Sequence, residues 1–313
     1  MEADEIDPQA AAAIEWRERI PLPHSRRGVR LFRLFERVTT WFQNRDLPSV
    51  GRAVDRTVPG PGGSLDARLY LPEGEGPFPT VVYFHGGGFV FGSVASHEWL
   101  CRHLANESGC GVLSVAYRLA PEHPFPVAVD EAAAAAEWVA DNAAAFGGDP
   151  ERLGVSGTSA GAALALATCL YGRELGDDPV ELAAQFLCYP IAGHDFETDS
   201  YRENADGPLL TREDMRWFYD RYLRSPVDAH NPFAVPLRAA DLGDLPAATV
   251  VTAGFDPLRD DGVALAERFE REGTPVEHRH YPAMAHGFCS LADRVETADE
   301  ALSAVAGDVR ERL

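Results

Sequence analysis

The spacing of apolar positions changes several times along this chain, and each change marks an element. Residues 1 to about 50 read as helical and amphipathic, with a proline-rich break at PLPHS. Beyond the break Leu31, Leu34, Phe35, Val38, Trp41 and Phe42 recur at steps of three and four, a helical stripe with arginines and acids between its members. From Arg52 the period changes: RAVDRTVPGPGGSLDARLYLPEG alternates and turns as a β-hairpin does. TVVYFHG is then a short continuous apolar strand. A helix (HEWLCRHLANESG), a buried strand opening GVLSVAYRLAPEHPFP, an alanine-rich helix (VDEAAAAAEWVADNAAAFG), the strand RLGVSG and the helix SAGAALALATCLYGREL follow.

Strands alternating with helices of ten or more residues predict βαβ units, hence an α/β architecture whose largely parallel sheet is covered on both faces. The alternation breaks between about 190 and 245, where DFETDSYRENADGPLLTREDMRWFYDRYLRSP is polar, aromatic and helical and looks inserted. It resumes with AATVVTAGFD, the helix GVALAERFEREG, the strand VEHRHYPAM and a closing helix to Leu313. The expected organisation is N-terminal helices over 1–50, a core over 51–190 and 246–313, and an insertion over 191–245. The sheet needs neither the N-terminal helices nor the insertion, and the two are expected to pack together as one cap.

Composition narrows the function. The 313 residues are 45% hydrophobic, ample for a core. Forty-nine acids against 28 bases leave a net charge of −21, which disfavours nucleic acid or an anionic membrane as partner. Every base is an arginine. A GC-rich genome explains arginine over lysine but not the net charge; adaptation to molar salt, where an acidic surface keeps a protein hydrated, explains both and is favoured. The N-terminus has neither a basic start nor an apolar core of the kind a signal peptide needs. The longest apolar stretch, AGAALALATCLYG, is too short to span a bilayer. A soluble, cytoplasmic protein is expected. Five cysteines without a C-x-x-C read as buried free thiols.

The chemistry concentrates in a few short stretches. GTSAG (157–161) is a G-x-S-x-G between a predicted strand and a predicted helix, the context of a nucleophile elbow. It makes Ser159 the candidate nucleophile and sets the N–H of Ala160 at a helix start. HGGGF (85–89) follows an earlier strand, and a serine that transfers acyl groups takes further oxyanion donors from such a loop, here Gly87 and Gly88. Neither glycine stretch fits G-x-G-x-x-G or precedes G-K-[ST], which argues strongly against nucleotide binding. Five histidines lie beyond Ser159. His278 and His280 share one face of a strand, and His194 and His230 lie in the insertion. His286 follows the last strand in a loop and is the candidate base. Asp256 ends the strand VVTAGFD and is the candidate acid, its alternative being a helix N-cap before Pro257. Asp260 and Asp261 read as first-turn acids. His85 and Glu122 read as structural. HEWLC carries Cys101 where a zinc-binding H-E-x-x-H needs a second histidine, so neither metal nor cofactor is expected. Phe89, Phe91, Met215, Trp217 and Phe218 are pocket candidates, with ordinary core residues as the alternative.

Together these residues resemble the hormone-sensitive-lipase-like family of α/β-hydrolases, also called bacterial esterase family IV. The likeness runs from about residue 60 to the end, through HGGGFVFGS, YRLAPEHPFP, GTSAG, NPFAVPL, GFDPLRDDG and HGF in order. It implies an α/β-hydrolase fold with a helical cap and a cofactor-free carboxylesterase acting on short-to-medium acyl esters. Ser159, Asp256 and His286 would form the triad; Gly87, Gly88 and Ala160 would form the oxyanion hole. A monomer or homodimer is implied. GTSAGA stands where many relatives have GDSAGG, Thr158 matching one branch, and DDG replaces the usual DEG. Two rivals remain at this point: an amidase or peptidase on the same fold, and a non-catalytic small-molecule receptor. The presence of His286 argues against the receptor.

Overall fold

A computed structural model describes residues 3–15, 22–23, 25–176 and 180–313. The elements, in chain order, are α1 (Pro8–Ile14), α2 (Arg26–Gln43), β1 (Arg52–Gly60), β2 (Gly63–Leu71), β3 (Phe78–Phe84), α3 (Glu98–Ser108), β4 (Gly111–Val115), α4 (Val127–Asn142), β5 (Gly148–Thr158) and α5 (Ala160–Leu175). They continue with β6 (Ala184–Cys188), α6 (Asp199–Glu203), α7 (Arg212–Tyr222), β7 (Ala247–Phe255), α8 (Arg259–Glu272), β8 (Val276–Ala285) and α9 (Glu296–Arg312). The expected break at PLPHS lies partly outside the described residues.

Local rules account for many of the boundaries. Asp7 caps α1, its carboxylate accepting from the N–H groups of Gln9 and Ala10, with Pro8 at the first helical position. Ser25 caps α2, and Thr211 and Asp214 form a reciprocal capping box on α7. Helices α3 and α8 end on glycines in the left-handed conformation, Gly109 and Gly273.

The eight strands form one sheet in the order β1-β2-β4-β3-β5-β6-β7-β8 among the described residues. The hairpin β1–β2 is antiparallel, β2 pairs antiparallel with β4, and every strand from β4 to β8 runs parallel to its neighbour. The largely apolar runs in β3 and β7 follow from burial on both faces, and β5 is buried from Leu153 onward. Two apolar cores result, one beneath α4, α5 and α8, the other beneath α3 and α9 and reached by α1. Strand β6 went unread in the sequence. It is only five residues long, and Gln185 interrupts its apolar run; the Gln185 amide is accommodated by donating to the Pro246 carbonyl at 2.9 Å.

The N-terminal helices do not act as one unit. Helix α1 packs beside the C-terminal helix, with Asp7 N–H donating to Ala283 O and Gln9 accepting from Glu296 N–H. Helix α2 lies instead on the loops that follow β3 and β4, bonded to the carbonyls of Val90, Ala95 and Ala120. It meets α7 through Phe91, whose ring lies 4.7 Å from Phe32 and 5.8 Å from Trp217. The apolar stripe of α2 points outward. Among the described helices none is long and apolar enough to cross a membrane. All five cysteines are buried and free.

Candidate active site

Parallel strands end at a common edge, and there this fold gathers the residues singled out by their chemistry. Strand β3 leads into the glycine loop, β5 into Ser159, β7 into Asp256 and β8 into His286. Ser159 is held at φ 55° and ψ −117° at the turn between β5 and α5, a conformation costly for a residue with a Cβ. The turn closes tightly because Gly161 lies against the Phe84 carbonyl, where a side chain would collide. Its backbone is secured by Ser159 N–H donating to Cys188 O at 2.9 Å.

The Ser159 hydroxyl lies 3.0 Å from His286 Nε2, and His286 Nδ1 lies 2.8 Å from Asp256 Oδ2. Asp256 is fully buried, and its other oxygen accepts from Leu258 N–H at 2.8 Å. That second bond closes the turn that leads into α8; the N-cap of the helix is Leu258, with no side-chain cap, so the N-cap alternative for Asp256 is not what the structure shows. Tyr189 packs the edge of its ring against His286 at 4.9 Å.

The glycine loop passes over the serine. Gly87 and Gly88 have φ of 117° and 60°, and a Cβ on Gly88 would fall within the Phe218 ring. Among the described residues no carbonyl accepts from the N–H groups of Gly87, Gly88 or Ala160; Gly87 and Gly88 line the same cavity as Ser159, and Ala160 follows it in the chain. His85 stacks on Tyr117 at 4.3 Å, and its Nδ1 lies 2.9 Å from Gly86 O. Burial pushes the His85 imidazole down to about 4, although the Gly86 carbonyl pulls the other way, so at neutral pH it is an uncharged support.

A cavity of about 670 Å³ opens above Ser159, within the usual range for small-molecule sites. Phe91, Met215 and Phe218 line it, together with Ile191, Leu209 and Leu210. Phe89 and Trp217 are corrections to the sequence reading. Phe89 is folded under the loop, stacked on Tyr222 at 3.8 Å, and Trp217 backs Phe91 while carrying the Arg221 guanidinium 3.8 Å over its ring. Periodicity cannot say which side of a loop an aromatic takes.

Three of the other histidines find partners elsewhere. His278 and His280 both reach the Thr252 hydroxyl, at 2.8 and 2.9 Å, and His194 packs against Phe196 and Tyr219. Among the described residues no cluster of His, Cys, Asp and Glu has the spacing to hold a metal.

Several contributors went unread in the sequence. His97 accepts at Nε2 from Gly86 N–H (3.2 Å) and lies 3.4 Å from the Thr158 hydroxyl, tying the two glycine stretches together. Asn204 approaches the Asp256 carbonyl at 3.5 Å, and Ser200 and Asp260 exchange hydrogen bonds that fasten α6 to the start of α8. Helix α2 supplies Phe32, Phe35, Glu36 and Thr39 to the cavity wall. It is held by Arg33, which donates to Ala120 O at 2.6 Å, Val90 O at 2.9 Å and Glu122 at 3.0 Å. No motif marks these positions; only the fold brings them to the site.

Comparison with known proteins agrees with the fold. Residues 81–290 match the family described as having the alpha/beta hydrolase fold. The chain is 40% identical over 267 residues to the esterase LipI of Mycobacterium tuberculosis, covering 82% of each protein. It is 40% identical over 256 residues to the carboxylesterase NlhH of the same organism, covering 80% of this chain and 79% of the relative. The hyperthermophilic esterase from the archaeon Pyrobaculum calidifontis superimposes with a TM-score of 0.90 at 36% identity, over 98% of both chains. The chain belongs to the α/β-hydrolase family, among its hormone-sensitive-lipase-like carboxylesterases.

Proposed function

We propose that this enzyme hydrolyses short-to-medium-chain acyl esters with Ser159 as nucleophile, His286 as general base and acid, and Asp256 as the group that orients His286. The observation that carries the reading is the continuous relay from Ser159 Oγ through both nitrogens of His286 to a buried carboxylate, at 3.0 and 2.8 Å.

Ser159 O–H donates to Nε2 and His286 Nδ1–H donates to Asp256, which selects the tautomer able to take the serine proton. As Oγ bonds to the ester carbonyl carbon, the proton passes to Nε2 and charge builds on the carbonyl oxygen. The N–H groups of Gly87, Gly88 and Ala160 are the donors for that oxygen, each worth about 10²–10³ in turnover where measured elsewhere. His286 then protonates the departing alcohol, and water repeats the sequence on the acyl-enzyme. The apolar lining from Phe91, Met215, Phe218, Leu209 and Leu210 suits an acyl chain. Helices α2 and α7, which wall the cavity from above, act as the cap. The −21 charge carried without a lysine supports a protein adapted to high salt.

Hydrolysis of p-nitrophenyl esters from acetate to palmitate tests the reading, with wild type beside Ser159→Ala. Turnover should be greatest on the shorter chains, fall towards palmitate, and drop by about 10⁴-fold or more in the variant. Undiminished activity in Ser159→Ala would remove the nucleophile assignment.

A further inference from the structure

Helix α2 turns its apolar stripe away from the protein. Leu31, Leu34, Phe35, Val38, Trp41 and Phe42 are between 47% and 67% exposed, although an amphipathic helix ordinarily lays such a stripe on a core. Its grip on the body is made by the other side, through buried Val29 and Thr40 and the Arg33 clamp. Six large apolar side chains on one exposed face form a patch of the kind that marks an interaction surface.

Charge says what kind of surface it fits. Residues 26–45 hold six arginines and a single acid, Glu36, a local balance of +5. The rest of the chain has 22 bases against 48 acids, or −26. Arg30 and Arg37 are exposed beside the stripe, Arg30 also reaching Glu122 at 3.4 Å, the acid that holds Arg33. Arg45 closes its C-terminal end, with the guanidinium 5.2 Å from the Trp41 ring and 4.7 Å from Phe42. Tryptophan, phenylalanine and leucine on one face with arginines flanking them is the pattern of a helix lying in the headgroup layer of a lipid surface.

The stripe also runs into the cavity opening. Phe35 belongs to both, and Phe32, Glu36 and Thr39 on the adjoining side line the cavity. A second copy of the chain fits less well. Isologous pairing sets the same patch against itself, here one +5 helix against another. Docking on the acidic body of another copy is heterologous and gives open chains instead of a closed dimer.

We propose that α2 is a lipid-docking helix that seats the protein on a phospholipid surface containing anionic headgroups, with the cavity opening turned towards the lipid. The acyl boundary takes the stripe and the phosphates take the arginines. Charges are screened beyond about 8 Å at physiological ionic strength and beyond about 3 Å in molar salt, so in either case only the arginines nearest the headgroups act, and the acidic body does not. Net charge alone argues against such a partner, and the charge distribution reverses that argument. Docking is independent of the hydrolytic reading, because it uses no residue of the relay.

Sedimentation with vesicles tests it, using Ser159→Ala protein so that no lipid is consumed. The protein should co-sediment with phosphatidylcholine–phosphatidylglycerol vesicles. The triple substitution Leu31→Glu, Leu34→Glu and Trp41→Glu should lower partitioning about tenfold or more. Circular dichroism of the variant, and hydrolysis of soluble p-nitrophenyl acetate when Ser159 is restored, should stay unchanged. Absence of co-sedimentation, or equal partitioning of parent and variant, overturns the proposal. So does a lipid-free dimer that the triple variant converts to monomer, since the stripe would then be a self-association surface.

Discussion

Gly88 faces the Phe218 ring so closely that a methyl group there would have to displace it, and its φ of 60° adds strain for any other residue. Gly88→Ala is expected to lower kcat about 10²-fold or more by shifting an oxyanion donor, with KM changed much less. Adding Phe218→Ala should recover part of the loss. If the double variant is no better than the single, steric displacement of the donor is not the cause. The same loop rests on His97, whose Nε2 accepts from Gly86 N–H. These effects were only partly legible in the sequence. HGGGF announces that backbone will approach a ligand, because glycine there has no packing role. The motif carries no sign of which α7 side chain presses on the loop, or that a histidine eleven residues beyond Gly86 supports it.

Asp261 was read as an ordinary first-turn acid of α8, yet it is buried and accepts from Gly193 N–H at 2.9 Å, anchoring the chain after β6. Burial pushes its carboxyl up to about 7, with Asp256 and Asp260 adding to the effect against the Gly193 and Ala192 hydrogen bonds. The raised value means that Asp261 stabilises the fold fully below the ordinary carboxylate range. As pH rises from about 4 to 7 the unfolded chain releases this proton while the folded chain keeps it, at a cost of the order of 4 kcal/mol. Asp261→Asn should therefore flatten the fall in stability between pH 5 and pH 8, measured by urea denaturation; an unchanged slope would show that the carboxyl ionises freely. Helix α2 gives a second test. Arg33→Ala removes three hydrogen bonds that fix one wall of the cavity, so KM should rise about tenfold with unchanged circular dichroism and a much smaller change in kcat. A fall in kcat at constant KM would instead link α2 to the chemical step.

A net charge of −21 spread over one molecule repels itself, and salt screens that repulsion. If the acidic surface is an adaptation to salt, the melting temperature and the esterase activity should both rise from dilute buffer to molar KCl; equal values in the two would refute it. Much of the architecture was legible because helix and strand periods are local: the hairpin, the parallel strands β3, β5 and β7 and the helices between them were expected where they occur. Strand β6 was not, since five residues containing a glutamine declare a strand only once β5 and β7 lie on either side. The chemical types at the site were legible for a similar reason, as G-x-S-x-G and HGGG are short and their backbone demands are intrinsic to glycine. Sequence periodicity and motif thus determined the kinds of element, their order and the reactive groups on offer. Only the tertiary structure decided the strand order β1-β2-β4-β3-β5-β6-β7-β8, the meeting of Ser159 with a histidine 127 residues away, the burial of Phe89 and the outward turn of the α2 stripe. Each of these depends on packing between segments far apart in the chain, and local preferences do not encode which distant surface will be there to receive them.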